Sequence, residues 1–283
     1  MRYRISFFKH KVFIRAKIRK MLIFTPLPII QTLMKILIMS ILSIFGLLGC
    51  KNNTPSDKTA SAYEVEHFTT DSGESVDITL IKHGSLELRY KHLSIQVDPV
   101  TEHGKHTDYA AEFPRADIIL ITHEHGDHLD KDAVAALRKD STVLIANSAS
   151  IQKLGWGQAL SNGESTILPS GIKLEAVPAY NTTQGHQQFH PKGRDNGYIL
   201  TIENLRIYIA GDTEDIPEMS GIKDIDIAFL PVNQPYTMTV EQCVKAAETI
   251  APKVLIPYHF SNTDLSGLAA KLPETDVRIR RMQ

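Results

Sequence analysis

The sequence predicts an α/β fold: a sandwich of β-sheets covered by helices, in one domain over residues 63–283. Three observations point there. Short runs rich in β-branched residues recur along the chain, separated by Gly, Pro and Asn positions, with only a few helical stretches between them. Two of those runs, 117–122 and 225–230, are almost continuously apolar, which is the pattern of strands covered on both faces. The 283 residues are 42% hydrophobic and 22% charged, enough for a sizeable core and unlike a disordered chain.

The elements follow in order. Residues 77–81, 86–90 and 93–97 read as a three-strand meander, punctuated by Gly84-Ser85 and Lys91-His92 and ended by Asp98-Pro99. Residues 117–122 (Asp-Ile-Ile-Leu-Ile-Thr) form a buried strand that runs straight into a histidine-rich segment. A helix follows over 130–138, acidic at its start and basic at its end. Strands are expected at 142–146, 174–177, 198–202, 206–210 and 225–230. Thr239 is placed to cap a helix over 239–250, with Glu241 in its first turn. A strand at 254–258 ends at His259, and a helix near 265–271 and a strand near 277–279 close the chain. No fixed-period repeat is present.

Residues 1–62 read as an address. The apolar stretch 36–48 is 13 residues long. That is short of the roughly 20 a spanning helix needs, and within the roughly 7–15 of a signal-peptide core. Leu47-Leu48-Gly49-Cys50 follows at once and resembles a bacterial lipobox. That resemblance implies a signal peptide over 1–49, lipidation at Cys50, a polar tether to residue 62, and an exported protein held on a membrane through its lipid on the periplasmic or cell-surface side. Met34-Lys35 would itself make a compact start, so the first 33 residues are expected to be an over-extended reading frame. Only Cys243 then remains as a thiol, which leaves no disulfide framework; its setting in an amphipathic helix predicts a buried apolar role. Residues 1–50 carry nine Lys or Arg and no acid, leaving 22 basic against 32 acidic residues in 51–283. A body that acidic suits a small-molecule substrate and argues against nucleic acid.

The chemistry is concentrated in His123-Glu124-His125-Gly126-Asp127-His128. Three imidazoles and two carboxylates share six residues at a strand-to-helix turn. In extended backbone His123 and His125 point the same way, whereas Asp127 and His128 aim elsewhere as the chain turns. That arrangement can serve two metal positions a few ångströms apart.

His123, His125, Asp127 and His128 match the H-x-H-x-D-H motif of the metallo-β-lactamase superfamily. Ile207-Tyr208-Ile209-Ala210-Gly211-Asp212 and Val254-Leu255-Ile256-Pro257-Tyr258-His259 match its later motifs, so the resemblance spans about 77–283. Asp98-Pro99-Val100 and Pro235-Tyr236-Thr237-Met238-Thr239 are similar, more narrowly, to the branch of ascorbate-6-phosphate lactonase. The resemblance implies a four-layer αββα sandwich and two divalent metal ions, Zn²⁺ foremost, with Mn²⁺ or Fe²⁺ also suited to such ligands. One ion would take His123, His125 and a third histidine, the other Asp127, His128 and His259, and Asp212 would bridge them. Binding to a metal lowers the pKa of water from 15.7 to about 7, which supplies a hydroxide nucleophile at neutral pH. Asp127 would also be catalytic, orienting the attacking water or shuttling its proton.

The third histidine departs from the pattern. Asn181 occupies the usual position, and the loop after it offers His186 and His190; His190, just before Pro191, is favoured. His83 reads equally as a site-edge histidine or a turn residue, and Tyr236 and Thr237 as substrate contacts or a loop that caps Thr239. Trp156 reads as packing, and His67, His92, His103 and His106 as surface residues. The leading function is hydrolysis of an ester, lactone or phosphodiester-like bond in a small molecule. The alternative is a lipid-tethered metal- or ligand-binding protein without turnover. A two-iron redox enzyme is disfavoured, because no length is left for a flavin domain and no Gly-rich nucleotide loop is present.

Overall fold

A computed structural model describes residues 63–282. The expected signal peptide, Cys50 and tether lie outside the described residues. The first half runs β1 (Glu64–Thr69), β2 (Ser75–Lys82), β3 (Ser85–Tyr90), β4 (Leu93–Val97), a small hairpin of β5 (Glu102–His103) and β6 (Lys105–His106), α1 (Tyr109–Glu112), β7 (Ile118–Ile121), α2 (Lys131–Leu137), β8 (Val143–Ala146), α3 (Ser148–Leu154) and β9 (Gln158–Ala159). The second half runs β10 (Ser165–Ile167), β11 (Lys173–Ala179), β12 (Asp195–Ile202), β13 (Leu205–Ile209), β14 (Ile227–Pro231), α4 (Val240–Ile250), β15 (Val254–Tyr258), α5 (Leu268–Lys271) and β16 (Asp276–Val277).

Two seven-stranded sheets result, ordered β1-β2-β3-β4-β7-β8-β9 and β10-β11-β12-β13-β14-β15-β16. Each begins as an antiparallel meander and continues as parallel strands joined through helices.

Side-chain alternation accounts for the layers. Ile118 and Leu120 of β7 join Ile227 and Phe229 of β14 and Ile256 of β15 in a core between the sheets. Their neighbours Ile119 and Ile121 face α2, against Ala133, Val134 and Leu137. Ala228 and Leu230 face α4, against Cys243, Ala246, Ala247 and Ile250. Strands apolar on both faces therefore require helices outside, which is the αββα sandwich that the family resemblance implied. The described chain is a single domain.

The helix ends follow their caps. Asp130 accepts from the Asp132 N–H and starts α2. Thr239 and Gln242 form a capping box at the start of α4. Cys243 is fully buried, and burial alone pushes its thiol pKa up to about 12.

Some boundaries differ from expectation. Strand β11 continues through Pro178, beyond the expected 174–177, whereas β15 keeps Pro257 inside its expected range of 254–258. Each proline lies beyond the last residue paired by the shorter neighbour, β10 or β16, so no ladder bond is lost there. The last strand is Asp276–Val277 rather than 277–279, because β16 pairs only with Val254 and Leu255. The last helix is confined to Leu268–Lys271.

Candidate metal centre

The parallel order carries the C-terminal ends of β4, β7, β13 and β15 to one side of the sandwich. Asp98 follows β4, Thr122-His123 follows β7, Gly211-Asp212 follows β13 and His259 follows β15. The β2–β3 turn adds His83, and the start of β12 adds Asp195, because β12 runs antiparallel to β13. Binding sites of α/β sheets form beyond such strand ends.

Local backbone conformation aims these groups. His83, Asp98 and His259 are non-glycine residues with φ of 43°, 44° and 48°. Left-handed backbone at such residues costs about 1–3 kcal/mol each and is retained where the surroundings fix it. His259 N donates to His83 O at 3.1 Å, joining the β2–β3 turn to the end of β15 across the two sheets. Gly84 is required on steric grounds, since a Cβ there would lie 2.7 Å from His128 Cε1.

The side chains converge. His123, His125 and His190 form one group and His83, Asp127, His128 and His259 another, with donor atoms within 4.8 Å of one another in each. Asp212 lies between: its Oδ2 is 3.2 Å from His259 Nε2, 3.3 Å from His190 Nε2 and 4.0 Å from His123 Nε2, and its Oδ1 is 3.3 Å from His128 Nε2. His123, His128, His190, Asp212 and His259 are all buried, whereas the Asp127 side chain keeps 34% exposure.

A second layer of carboxylates sets the rings. His128 Nδ1 bonds Asp98 Oδ2 at 2.8 Å, and His190 Nδ1 bonds Asp195 Oδ2 at 2.9 Å. Asp98 also accepts from Thr122 N and Oγ1, and Thr122 Oγ1 lies 3.0 Å from His123 Nδ1. Each ring is thereby turned with Nε2 toward the centre, as in carboxylate–histidine–metal triads. The sequence reading missed Asp98 and Asp195. The signals available were an acid at a strand end before Pro99 and an acid opening the strand after the His190 loop.

The electrostatics suit a cation. Burial opposes charge on Asp212, yet His128 and His259 hold its carboxyl well below the usual range. Burial likewise works against protonated His128, but Asp212 and Asp98 hold its pKa well above the ordinary value. For His190, Asp195 and Asp212 overcome burial and raise the pKa to about 9. Burial, then the charge of His128, keeps His123 neutral. Burial pushes His83 down to about 4. Ionised carboxylates thus draw protons onto the surrounding imidazoles. His123 Nε2, His128 Nε2, His259 Nε2 and Asp212 Oδ1 remain buried without hydrogen-bond partners. Orphaned donor atoms of this kind, converging on one small volume, fit divalent metal ions.

The structure separates the candidates for the third histidine. His190 joins His123 and His125. His186 turns to Glu214 at 3.4 Å, and Asn181 spends its Nδ2 on the backbone oxygens of Tyr236 and His186. His83 lies at the cluster, its Nε2 3.1 Å from Asp127 Oδ2. His103, expected at the surface, instead packs at a tilt on His83 with ring centroids 3.9 Å apart. The cause is the β5–β6 hairpin, which buried Lys82 ties down by donating to Thr101 O and Lys105 O. His67, His92 and His106 are exposed. Trp156 packs against Arg138 at 3.9 Å, as expected. Thr237 is buried and receives the Asn233 N–H, while Tyr236 is 45% exposed and packs on Phe189.

Two packed sheets with outer helices and a His/Asp cluster at their strand ends define a metallohydrolase of the metallo-β-lactamase kind. Residues 77–259 match the family model described as the beta-lactamase superfamily domain, and the chain belongs to that family. It is a metal-dependent hydrolase by that membership and by its curated relatives. A UPF0173 metal-dependent hydrolase of Bacillus licheniformis is 32% identical over 175 residues, 58% of this chain and 76% of that protein. Its counterpart in Methanopyrus kandleri is 28% identical over 193 residues, 65% of this chain and 83% of the relative. A crystal structure from Parabacteroides distasonis ATCC 8503, a metal-dependent hydrolase by designation, shares 58% identity with a TM-score of 0.75, covering 78% of this chain and 100% of that one. Igni18, a metallo hydrolase from Ignicoccus hospitalis, shares the fold at 24% identity and a TM-score of 0.61, covering 73% of this chain and 95% of its own.

Proposed function

We propose that this chain hydrolyses an ester, lactone or phosphodiester-like bond of a small substrate with two divalent metal ions, Zn²⁺ foremost. The observation that carries the reading is the set of orphaned Nε2 atoms on His123, His128 and His259 around Asp212. His123, His125 and His190 would hold one ion; Asp127, His128 and His259 would hold the other; Asp212 would bridge. Bound there, the ions would supply Lewis acidity toward a water and toward the substrate's carbonyl or phosphoryl oxygen. Asp98 and Asp195 take the Nδ1 side of His128 and His190 and turn each Nε2 inward, where a bound ion would displace its proton. Asp127 is the acid open to solvent. Its Oδ2 takes the His83 bond, and against burial His259 and His83 hold its carboxyl well below the usual range, so it stays ionised and suits the orienting of a water. The narrower likeness to the ascorbate-6-phosphate lactonase branch favours lactones within this set.

The test is a hydrolysis panel of esters, lactones, phosphodiesters and lactams on the metal-replete full chain, with Asp127→Asn alongside. Turnover of one class, lost in the variant, supports the reading. Equal rates in both proteins, or stoichiometric metal without turnover of any class, defeat it, and the latter leaves a binding protein.

Export and lipid anchoring at Cys50 belong to the same proposal and rest on the apolar stretch 36–48 and the Leu47–Cys50 motif. Intact mass of membrane-extracted protein decides it: a mature chain starting at a lipid-modified Cys50 supports the anchor, and an unmodified Cys50 removes it.

A further inference from the structure

We propose that the polar cavity beside the metal centre seats an anionic oxygen group of the substrate, a carboxylate or phosphoryl, held by Arg194. The inference rests on the metal-centre reading above and deepens it by naming the substrate class.

The cavity has a volume of about 370 Å³ and is walled chiefly by Asn147, Gln152, Asn162, Lys192, Arg194 and Asn196. Its two cationic side chains are each paired with carboxylates behind the wall, Lys192 with Glu218 and Arg194 with Asp195 and Glu124. Arg194 is the wall it shares with the centre: Nη2 lies 3.3 Å from His125 Nε2.

The guanidinium is locked in place. Nε and Nη2 grip Asp195 at 2.6 and 2.9 Å, Nε lies 3.3 Å from Glu124 Oε1, and Nη2 also donates to Phe189 O at 2.8 Å. Nη1 has no hydrogen-bond partner among the described residues, so two N–H donors are available on a group whose rotamer the fold already fixes. Such a donor binds an oxyanion with little further ordering cost. Lys192 is committed elsewhere, to Glu218 at 2.7 Å and Tyr180 Oη at 3.1 Å. The Asn162 and Asn196 amides are spent on Asp195 O and Leu160 O, which makes them a rigid wall.

Donor chemistry selects the class of ligand. The paired N–H groups on Nη1 suit the oxygens of a carboxylate or phosphoryl group. Asp195 and Glu124 already offset the guanidinium charge, so recognition rests on these donors and on the adjoining centre.

The test is calorimetric titration of the metal-loaded full chain with inorganic phosphate and, separately, acetate. Wild type is compared with Arg194→Gln and Gln152→Glu, with metal content measured on each sample. Gln152 is exposed on α3 and has no hydrogen-bond partner among the described residues, so a carboxylate there adds charge without disturbing the fold. Wild type should bind at least one anion; which of the two separates phosphoryl from carboxylate substrates. Arg194→Gln should weaken that binding about tenfold or more, since it removes a charge-assisted donor. Gln152→Glu should weaken it several-fold, an effect that shrinks in high salt. Anion binding unchanged in both variants would show the anion on the metals alone and overturn the proposal, as would no binding to wild type. If wild type retains no metal, the metal-centre reading fails separately. The same Arg194 and Gln152 comparison on the metal-free chain then decides the anion site.

Discussion

Asp98 Oδ2 stands 2.8 Å from His128 Nδ1, thirty residues away in sequence, and both side chains are fully buried. The carboxylate meets no solvent. It accepts three donors, from His128, Thr122 N and Thr122 Oγ1, and thereby couples the end of β4 to the turn after β7.

Asp98→Asn keeps the shape and removes the charge. His128 loses the partner that fixes its tautomer, and an amide NH₂ now faces donors. Metal affinity is expected to fall about 10–100-fold. Competition against a fluorescent chelator measures it; affinity within about twofold of wild type would mean the pair does not tune the site.

His190→Ala should lower metal content per chain, whereas His186→Ala should not, because His190 lies with His123 and His125 and His186 lies with Glu214. Elemental analysis of the purified variants reads this directly. An unchanged content in His190→Ala would return the third-ligand role to the Asn181–His186 loop.

The pH dependence has a definite sign. Asp195 and Asp212, against burial, raise the metal-free His190 from 6.5 to about 9. The stabilisation this gives the metal-free fold is present in full below pH 6.5 and lost as pH rises through about 9. A metal must displace that proton, so its affinity rises over the same interval. The increase in Tm on adding metal should therefore be larger at pH 9 than at pH 6.5. An increment that shrinks with pH would contradict the protonated state assigned to His190.

Gly84→Ala places a methyl 2.7 Å from His128 Cε1 and 2.9 Å from Nδ1. The ring is held by Asp98 and cannot yield freely, so overpacking should cost about 1–3 kcal/mol. Chemical denaturation would show the loss, together with weaker metal binding. An unchanged midpoint would mean that the turn shifts instead.

The parts legible in the sequence were those encoded locally. His123 to His128 share one turn, and Asp212 and His259 each end an apolar strand, so motif and strand could be read together. Thr239 as a cap and the acids opening the helix at Asp130 marked their helices for the same reason. Asp98, Asp195 and His103 were not legible, because their roles come from pairings that only the folded sheets create. His103 reaches His83 through a hairpin of two-residue strands, too short for any periodicity. Helix α3 was missed because Ser148–Leu154 is short and weakly apolar, although Asn147 and Gly155 supply its N-cap and left-handed C-cap.

The donors come from both sheets: His123, His125, Asp127 and His128 from the first, His190, Asp212 and His259 from the second. Cations coordinated there would act as removable cross-links at one end of the sandwich. They would tether segments more than sixty residues apart in the chain and restrict the freedom of the opened state. Loading the centre would therefore change how long the folded chain persists as well as what it can cleave. A chelator would withdraw those cross-links and leave the core between the sheets and the His259–His83 and Asn196–Thr122 backbone bonds to hold that end.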